Sequence, residues 1–171
     1  RVQESRGKLT QLVFYDNNAA LPEAVGVIVR HVVESFDPEL KLTLTTDPEV
    51  AMTDADFIFA QMRVGLYAMR EQDEKIPLKY GVVGQETCGP GGLAYVLRTI
   101  YPMVELIDYC EKYAKPTYWI VNYSNPAAIV AKATFRLRPK ARILNICDMP
   151  VAIERNMAEI LECDRHDLEV D

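Results

Sequence analysis

A chain of 171 residues with 19 basic against 25 acidic side chains, a net charge of -6 and no block of like charges is poorly suited to general binding of nucleic acid or of an anionic membrane surface. Its four cysteines, Cys88, Cys110, Cys147 and Cys163, are too few and too scattered for a disulfide framework or a paired-cysteine zinc site, and the length supports a hydrophobic core without them. With no signal peptide and no apolar run long enough to cross a bilayer, the sequence reads as one cytoplasmic domain. Its start at Arg1 and its close on Val170-Asp171, which looks like the start of a strand, suggest a piece of a longer protein.

Lys8 to Tyr15 ends in the apolar run Leu12-Val13-Phe14-Tyr15 and is closed by the turn formers Asp16-Asn17-Asn18, the pattern of a buried strand with polar residues at its carboxyl end. A helix follows, with Pro22 in its first turn and Val25, Ile28, Val29 and Val32 at helical spacing, until Ser35-Phe36-Asp37-Pro38 stops it. His31 lies in that helix with no ligand partner nearby and reads as structural. Leu40 to Thr45 alternates like a strand, Thr46-Asp47-Pro48 opens a short helix through Met52, and Asp56 to Ala60 reads as another buried strand.

Gln61 to Arg70 and the charged run Glu71 to Lys75 lead to the loop Gly84-Gln85-Glu86-Thr87-Cys88-Gly89-Pro90-Gly91-Gly92, which holds half of the eight glycines. Such a cluster suits either a close approach of backbone to a ligand or an ordinary turn. A long helix is predicted from about Leu93 to Tyr113, buried through Val96, Ile100, Met103, Val104 and Ile107, and bent or divided at Pro102. Tyr118 to Asn122 reads as a strand, Ser124-Asn125-Pro126 opens a helix from Ala127 to Phe135, and Arg138-Pro139 ends it.

The stretch Arg142 to Pro150 is then an apolar strand that delivers Cys147 and Asp148 to the start of a last helix, Met149 to about Cys163. In open α/β sheets ligands bind at the carboxyl ends of strands, so a soft metal ligand beside a titratable group there is a candidate site. The alternative is a thiol buried as a small hydrophobe and an aspartate that caps the helix. Alternating strands and helices give an α/β fold, a Rossmann-like doubly wound parallel sheet. The glycine-rich GxGxxG turn of a dinucleotide fold is absent, yet Asp16 ends a strand where such a domain places the acid that holds the adenosine ribose. A missing first strand, turn and helix would reconcile the two.

Three motifs, Asn122-Tyr123-Ser124-Asn125-Pro126-Ala127, the Gly84 to Gly92 loop and Ile146-Cys147-Asp148-Met149-Pro150, together resemble the NAD- and manganese-dependent glycoside hydrolases of family four. Arg63-Val64-Gly65 through Arg70 adds a fourth block, and Cys-Asp-Met-Pro is similar to the form carried by the 6-phospho-α-glucosidases of that family. The resemblance implies oxidation of the sugar's C3 hydroxyl with NAD, loss of the acidified C2 proton to a tyrosine base, departure of the glycosidic oxygen with help from an acid, and return of the hydride within the same turnover. It implies Cys147 as the thiolate ligand of Mn2+, Asp148 as the proton donor, Glu86 as the acid that raises the basicity of the tyrosine base, and Arg70 and Asn125 as substrate contacts. It also implies a phosphorylated disaccharide such as maltose 6'-phosphate as substrate and a homo-oligomeric full-length parent.

The histidine ligand in an Asn-His-Phe-Gly motif, the base tyrosine and a further substrate arginine are not in this sequence, and His166 does not stand in that motif. Residues 1–171 are therefore expected to form a partial NAD-binding, Rossmann-like domain with part of the active-site edge, inactive alone because the C-terminal catalytic half is absent. Two rivals stand beside this reading. One is a 2-hydroxy-acid dehydrogenase, whose Rossmann half also carries a Ser-Asn-Pro segment after a strand; the other is a truncated, non-catalytic remnant.

Overall fold

The computed structural model describes residues 9–18 and 20–169, so the expected strand beginning at Lys8 and the expected strand start at Val170-Asp171 lie outside the described residues. The chain forms two compact units, each drawn from two separate stretches: one runs through Ile58 and takes up Asp108–Tyr118, the other is Phe59–Ile107 with the residues from Trp119 onward.

In the first unit β1 (Gln11–Tyr15) and β2 (Lys41–Thr45) pair in parallel, Leu12 opposite Leu42 and Phe14 opposite Leu44. Parallel neighbours need a crossover, and α1 (Ala20–Phe36) supplies it. The expected buried face of that helix is corrected by the structure: Ile28 is 67% exposed and Val32 is also exposed, whereas Val33 is buried. The helix is apolar on several sides, so periodicity alone does not choose a face; Gly26 does. A Cβ on Gly26 would lie 2.4 Å from Leu44 Cδ1, so the missing side chain lets Leu44 of β2 seat on the helix and brings Gly26, Val29 and Val33 to the same side.

The short α2 (Pro48–Met52) follows β2, with the Asp47 carboxylate accepting from the Glu49 N–H at 2.9 Å. The returning stretch is stitched to the same region. Lys115 N–H donates to Ala55 O at 3.3 Å, Lys115 Nζ meets Asp56 at 2.7 Å, and Cys110 Sγ lies 3.8 Å from Met52 Sδ in the core.

The second unit carries a ladder in the order β3 (Phe57–Ala60), β4 (Trp119–Asn122), β5 (Ile143–Asn145), with β3 entering from the first unit. β4 and β5 are parallel, Ile120 opposite Ile143 and Asn122 opposite Asn145, and α5 (Ala127–Leu137) makes the crossover. The architecture is thus the expected α/β one built on parallel strands, with its hydrogen bonds in two ladders, β1-β2 and β3-β4-β5. β4 is central in its ladder, and Ile120 is fully buried. The flanking strands depart from the expectation of full burial, since Phe57 and Phe59 are 73% and 64% exposed and Leu144 is 52% exposed. In β3 the exposure alternates, with Ile58 and Ala60 turned inward, as a strand covered on one face requires.

Two further helices belong to this unit, α3 (Leu66–Leu78) and α4 (Gly89–Tyr113) as far as Ile107, and α6 (Met149–Leu161) leads to a 3-10 turn at Arg165–Asp167. α4 begins inside the glycine-rich loop rather than at Leu93, and Pro102 does not divide it. A proline removes one helical hydrogen bond, but the turns on either side are held by fully buried Thr99, Met103 and Ile107. Cys110, further along the same helix, is also fully buried, and burial, assisted by the Glu111 charge, pushes its thiol up to about 12.

Cys88, Cys147 and Cys163 are exposed. Because the thiolate is the reactive form, alkylation at pH 10 should label these three exposed cysteines and leave Cys110, buried and still protonated there, unlabelled. Mass spectrometry of the labelled native chain checks this; Cys110 should react only after denaturant is added.

Candidate functional site

The site is assembled around the carboxyl ends of β4 and β5. Asn122, the last residue of β4, is completely buried, and its Nδ2 donates to Asn145 Oδ1 at 2.7 Å while its Oδ1 accepts from the Ser124 N–H at 3.0 Å. Its backbone carbonyl receives the Ile146 N–H at 2.9 Å. The turn that follows β4 is tied to β3 as well: Tyr123 N–H donates to Ala60 O at 2.8 Å, and Ser124 Oγ accepts from Met62 N–H at 2.9 Å. The Asn125-Pro126 peptide is cis, and the half-buried Asn125 side chain has no hydrogen-bond partner among the described residues.

Cys147 and Asp148 emerge beyond β5, just ahead of α6. The thiol is exposed rather than buried, with the Met149 N–H directed at Sγ from 3.4 Å and an Asp148 carboxylate oxygen 4.0 Å away. Asp148 occupies the residue before the helix, but its side chain makes no capping hydrogen bond. The Tyr123 hydroxyl is hydrogen bonded to Asp148 instead, which pushes that phenol above its ordinary range, with desolvation and the neighbouring negative charges acting in the same direction. Neither a buried apolar thiol nor a simple cap describes this pair. Tyr123 stands in a sequence motif but carries nothing there that marks it as a partner of Asp148; only the register of β4 beside β5 brings the two together.

Glu86 and Arg70 come together in a second cluster, between α3, α4 and the glycine-rich loop. The loop lies directly on its neighbours: a Cβ on Gly84 would fall 1.9 Å from Glu74 O, and one on Gly91 would fall 2.3 Å from Gln85 O. These two glycines serve close packing of chain on chain, which fixes where Glu86 stands. Its carboxylate is shared, Oε1 with Arg63 Nη2 at 2.5 Å and Oε2 with Arg70 Nη2 at 3.2 Å. Arg70 Nε also donates to Glu74 at 2.8 Å, and these two carboxylates hold the guanidinium in its charged form. Arg63 lies over the rings of Tyr67 and Tyr95, 5.4 and 5.6 Å from their centroids. Burial raises the Tyr95 phenol, partly opposed by the positive charge of Arg63.

Beside this group Asp73, 6% exposed, is paired with Arg98 through both carboxylate oxygens. Sequence reading passed over both residues. A signal was there, since Asp73 lies one turn from Pro77 on the buried side of α3, and a carboxylate on that side requires a cation. Asp16 stands in the first unit at the end of β1, where one carboxylate oxygen accepts from the Asn18 N–H at 2.7 Å. Among the described residues no three His, Cys, Asp or Glu side chains gather as a metal site, and no helix is long and apolar enough to cross a membrane.

The sequence profile described as family 4 glycosyl hydrolase matches residues 3–163. The chain belongs to that family. It is 56% identical over 90% of its length to a 6-phospho-α-glucosidase from Leptotrichia buccalis, of which it covers 34%. A crystal structure of a 6-phospho-α-glucosidase from gut microorganisms in complex with NAD and glucose 6-phosphate is similar over 94% of this chain and 37% of that one, with 61% identity and a TM-score of 0.90. A second, in complex with NAD and Mn2+, covers 93% of this chain and 37% of that one at 46% identity and a TM-score of 0.88. The chain thus spans about a third of the length of the curated relatives it matches. Lactate dehydrogenase from Eimeria maxima, 16% identical with a TM-score of 0.64 over 93% of this chain and 43% of that one, shares the Rossmann-like fold.

The two ion pairs of the second unit differ in what their loss should cost. Arg98→Met leaves the Asp73 carboxylate buried without a partner and should destabilise the fold by about 3 kcal/mol. Lys75→Met removes an exposed, solvent-screened pair with Glu71 and should leave stability nearly unchanged. Urea denaturation of the two variants beside the wild type measures the difference.

Proposed function

We propose that the full-length protein is a 6-phospho-α-glucosidase that hydrolyses phosphorylated α-glucosides such as maltose 6'-phosphate, with NAD and Mn2+ as cofactors. The observation that carries the reading is the exposed Cys147-Asp148 pair at the carboxyl edge of β5, beside the Asn122 to Pro126 turn, in a chain more than half identical to proteins of that name. Four unpaired cysteines favour a reducing, cytoplasmic setting.

The residues present fit the two cofactors. Cys147 offers an exposed sulfur with a backbone N–H directed at it, and a sulfur donor open to solvent suits a metal ligand. Asp16 has one carboxylate oxygen in a local turn and the other without a partner among the described residues, which suits a ribose diol. When bound, NAD supplies reversible hydride transfer and Mn2+ supplies Lewis-acid polarisation of the sugar's oxygens.

Asp148 is the proton donor to the departing glycosidic oxygen, and Tyr123 fixes the orientation of its carboxyl group. Asn125 offers an unpartnered amide to sugar hydroxyls, and Arg70, more than a third exposed, offers charge to the anionic substrate. Glu86, mostly buried between two guanidiniums, acts through its charge on the groups around it. A 2-hydroxy-acid dehydrogenase would share the fold, but the similarity to that class is confined to it.

Assay of the full-length protein with NAD and Mn2+ should show hydrolysis of maltose 6'-phosphate without net NADH. Net NADH formation on a 2-hydroxy acid, with no hydrolysis, would overturn the reading. Cys147→Ser should lose activity and Mn2+ binding together while the fold is kept, since an alcohol is a poor, protonated replacement for a thiolate.

Asp148→Asn separates acid from scaffold. Natural disaccharides expel an alkoxide that needs a proton, whereas aryl 6-phosphoglucosides expel a phenolate that needs it less. The Asn variant should therefore lose kcat/KM mainly on the disaccharide; an equal loss on both substrates would assign Asp148 to placement of metal or substrate.

A further inference from the structure

Arg63 takes no part in the roles assigned above, yet it is held at several points. The residue before it is held from both sides, Met62 N–H by Ser124 Oγ at 2.9 Å and Met62 O by the Tyr95 hydroxyl at 3.2 Å. Its guanidinium then lies over Tyr67 and Tyr95 and ends on Glu86 Oε1. Stacking and a short ion pair together leave it little freedom.

The consequence falls on Arg70. Glu86 has two oxygens, and Arg63 holds one of them at 2.5 Å, so Arg70 receives only the other, at 3.2 Å. With Nε of Arg70 on Glu74 and Nη2 on Glu86, Nη1 is left without a partner among the described residues. The carboxylate is 19% exposed and the Arg70 side chain 38%, so the outer arginine is the one that an anion arriving from solvent would meet. A carboxylate released from Arg63 would be able to take the outer arginine end-on, with both oxygens on Nη1 and Nη2, the strongest geometry open to that pair.

We propose that Arg63 is a positioning residue that withholds one oxygen of Glu86 from Arg70 and so keeps an Arg70 N–H edge available to a sugar phosphate. This rests on the assignment of Arg70 to an anionic, phosphorylated sugar in the proposed function. Arg63 itself need not touch the sugar; it acts through Glu86.

The test is calorimetric binding of glucose 6-phosphate to the full-length protein in the presence of NAD and Mn2+, which reads affinity without turnover. Arg63→Met should weaken glucose 6-phosphate about tenfold while NAD affinity stays within twofold, because the loss is confined to a competed guanidinium. Adding Glu86→Gln to that variant should restore most of the affinity, since an amide does not capture Arg70 as a carboxylate does. A merely structural role for Arg63 predicts no such rescue.

Arg63→Lys, which keeps the charge but offers a single point contact, should give a smaller loss of the same kind and serves if the Met variant does not fold. Unchanged glucose 6-phosphate affinity in the Arg63 variants, an equal loss for NAD, or a loss that Glu86→Gln fails to relieve would each overturn the proposal. Failure of the wild type to bind glucose 6-phosphate would instead overturn the proposed function, and this inference with it.

Discussion

The side-chain amide of Asn122 is the contact on which the site's geometry depends. It is fully buried at the end of the central strand of its ladder, and a carboxamide there must satisfy both its donor and its acceptor or cost roughly 1–3 kcal/mol per orphaned group. It does so by joining two structures that sequence places far apart. Nδ2 holds Asn145 at the end of β5, and Oδ1 holds the backbone of Ser124 in the turn beyond β4. Cys147 and Asp148 leave one of these strands and Tyr123 leaves the other, so the same amide sets the spacing across which the phenol meets the carboxylate. An aliphatic side chain of similar size would fill the volume and lose the register.

Charge in the second unit is arranged in two different ways. Asp73 and Arg98 meet through both carboxylate oxygens, a bidentate pair that ties α3 to α4 and leaves the buried Arg98 Nε without a partner among the described residues. Glu86 is divided between two arginines and satisfies neither completely. The first arrangement belongs to a fold; the second keeps donors in reserve, which is what a binding edge requires. Arg63, Arg70, Asp73, Glu86, Tyr95 and Arg98 line one small region, so the bidentate pair stands beside the shared carboxylate.

Much of this was legible in the sequence because periodicity and turn chemistry agree along most of the chain. The order of strands and helices apart from α3, the helix stops at Ser35–Pro38 and Arg138-Pro139, and the delivery of Cys147 and Asp148 beyond a strand all follow from local pattern. What local pattern could not give were choices made by a partner. The buried face of α1 is chosen by Leu44 against Gly26, the exposed faces of β3 and β5 by their places in the ladder, and the start of α4 by glycines packed on α3. The candidate site divides in the same manner. Cys147, Asp148, Glu86, Arg70 and Asn125 stand in recognisable motifs and Asp16 at the end of a strand, whereas the Tyr123 contact to Asp148 and the sharing of Glu86 with Arg63 exist only between segments.

The first unit is closed by Asp108–Tyr118, a stretch made long after β1, α1 and β2. A ribosome adding about 5–20 residues per second therefore needs roughly 3–12 s beyond Ile58 before the Cys110 thiol can reach Met52 and Lys115 can reach Ala55. In that interval the first unit stands without its last segment, while the residues that begin the other unit are already being made. The first unit is complete in sequence once Tyr118 has been made, immediately ahead of the strand, Trp119–Asn122, that anchors the second.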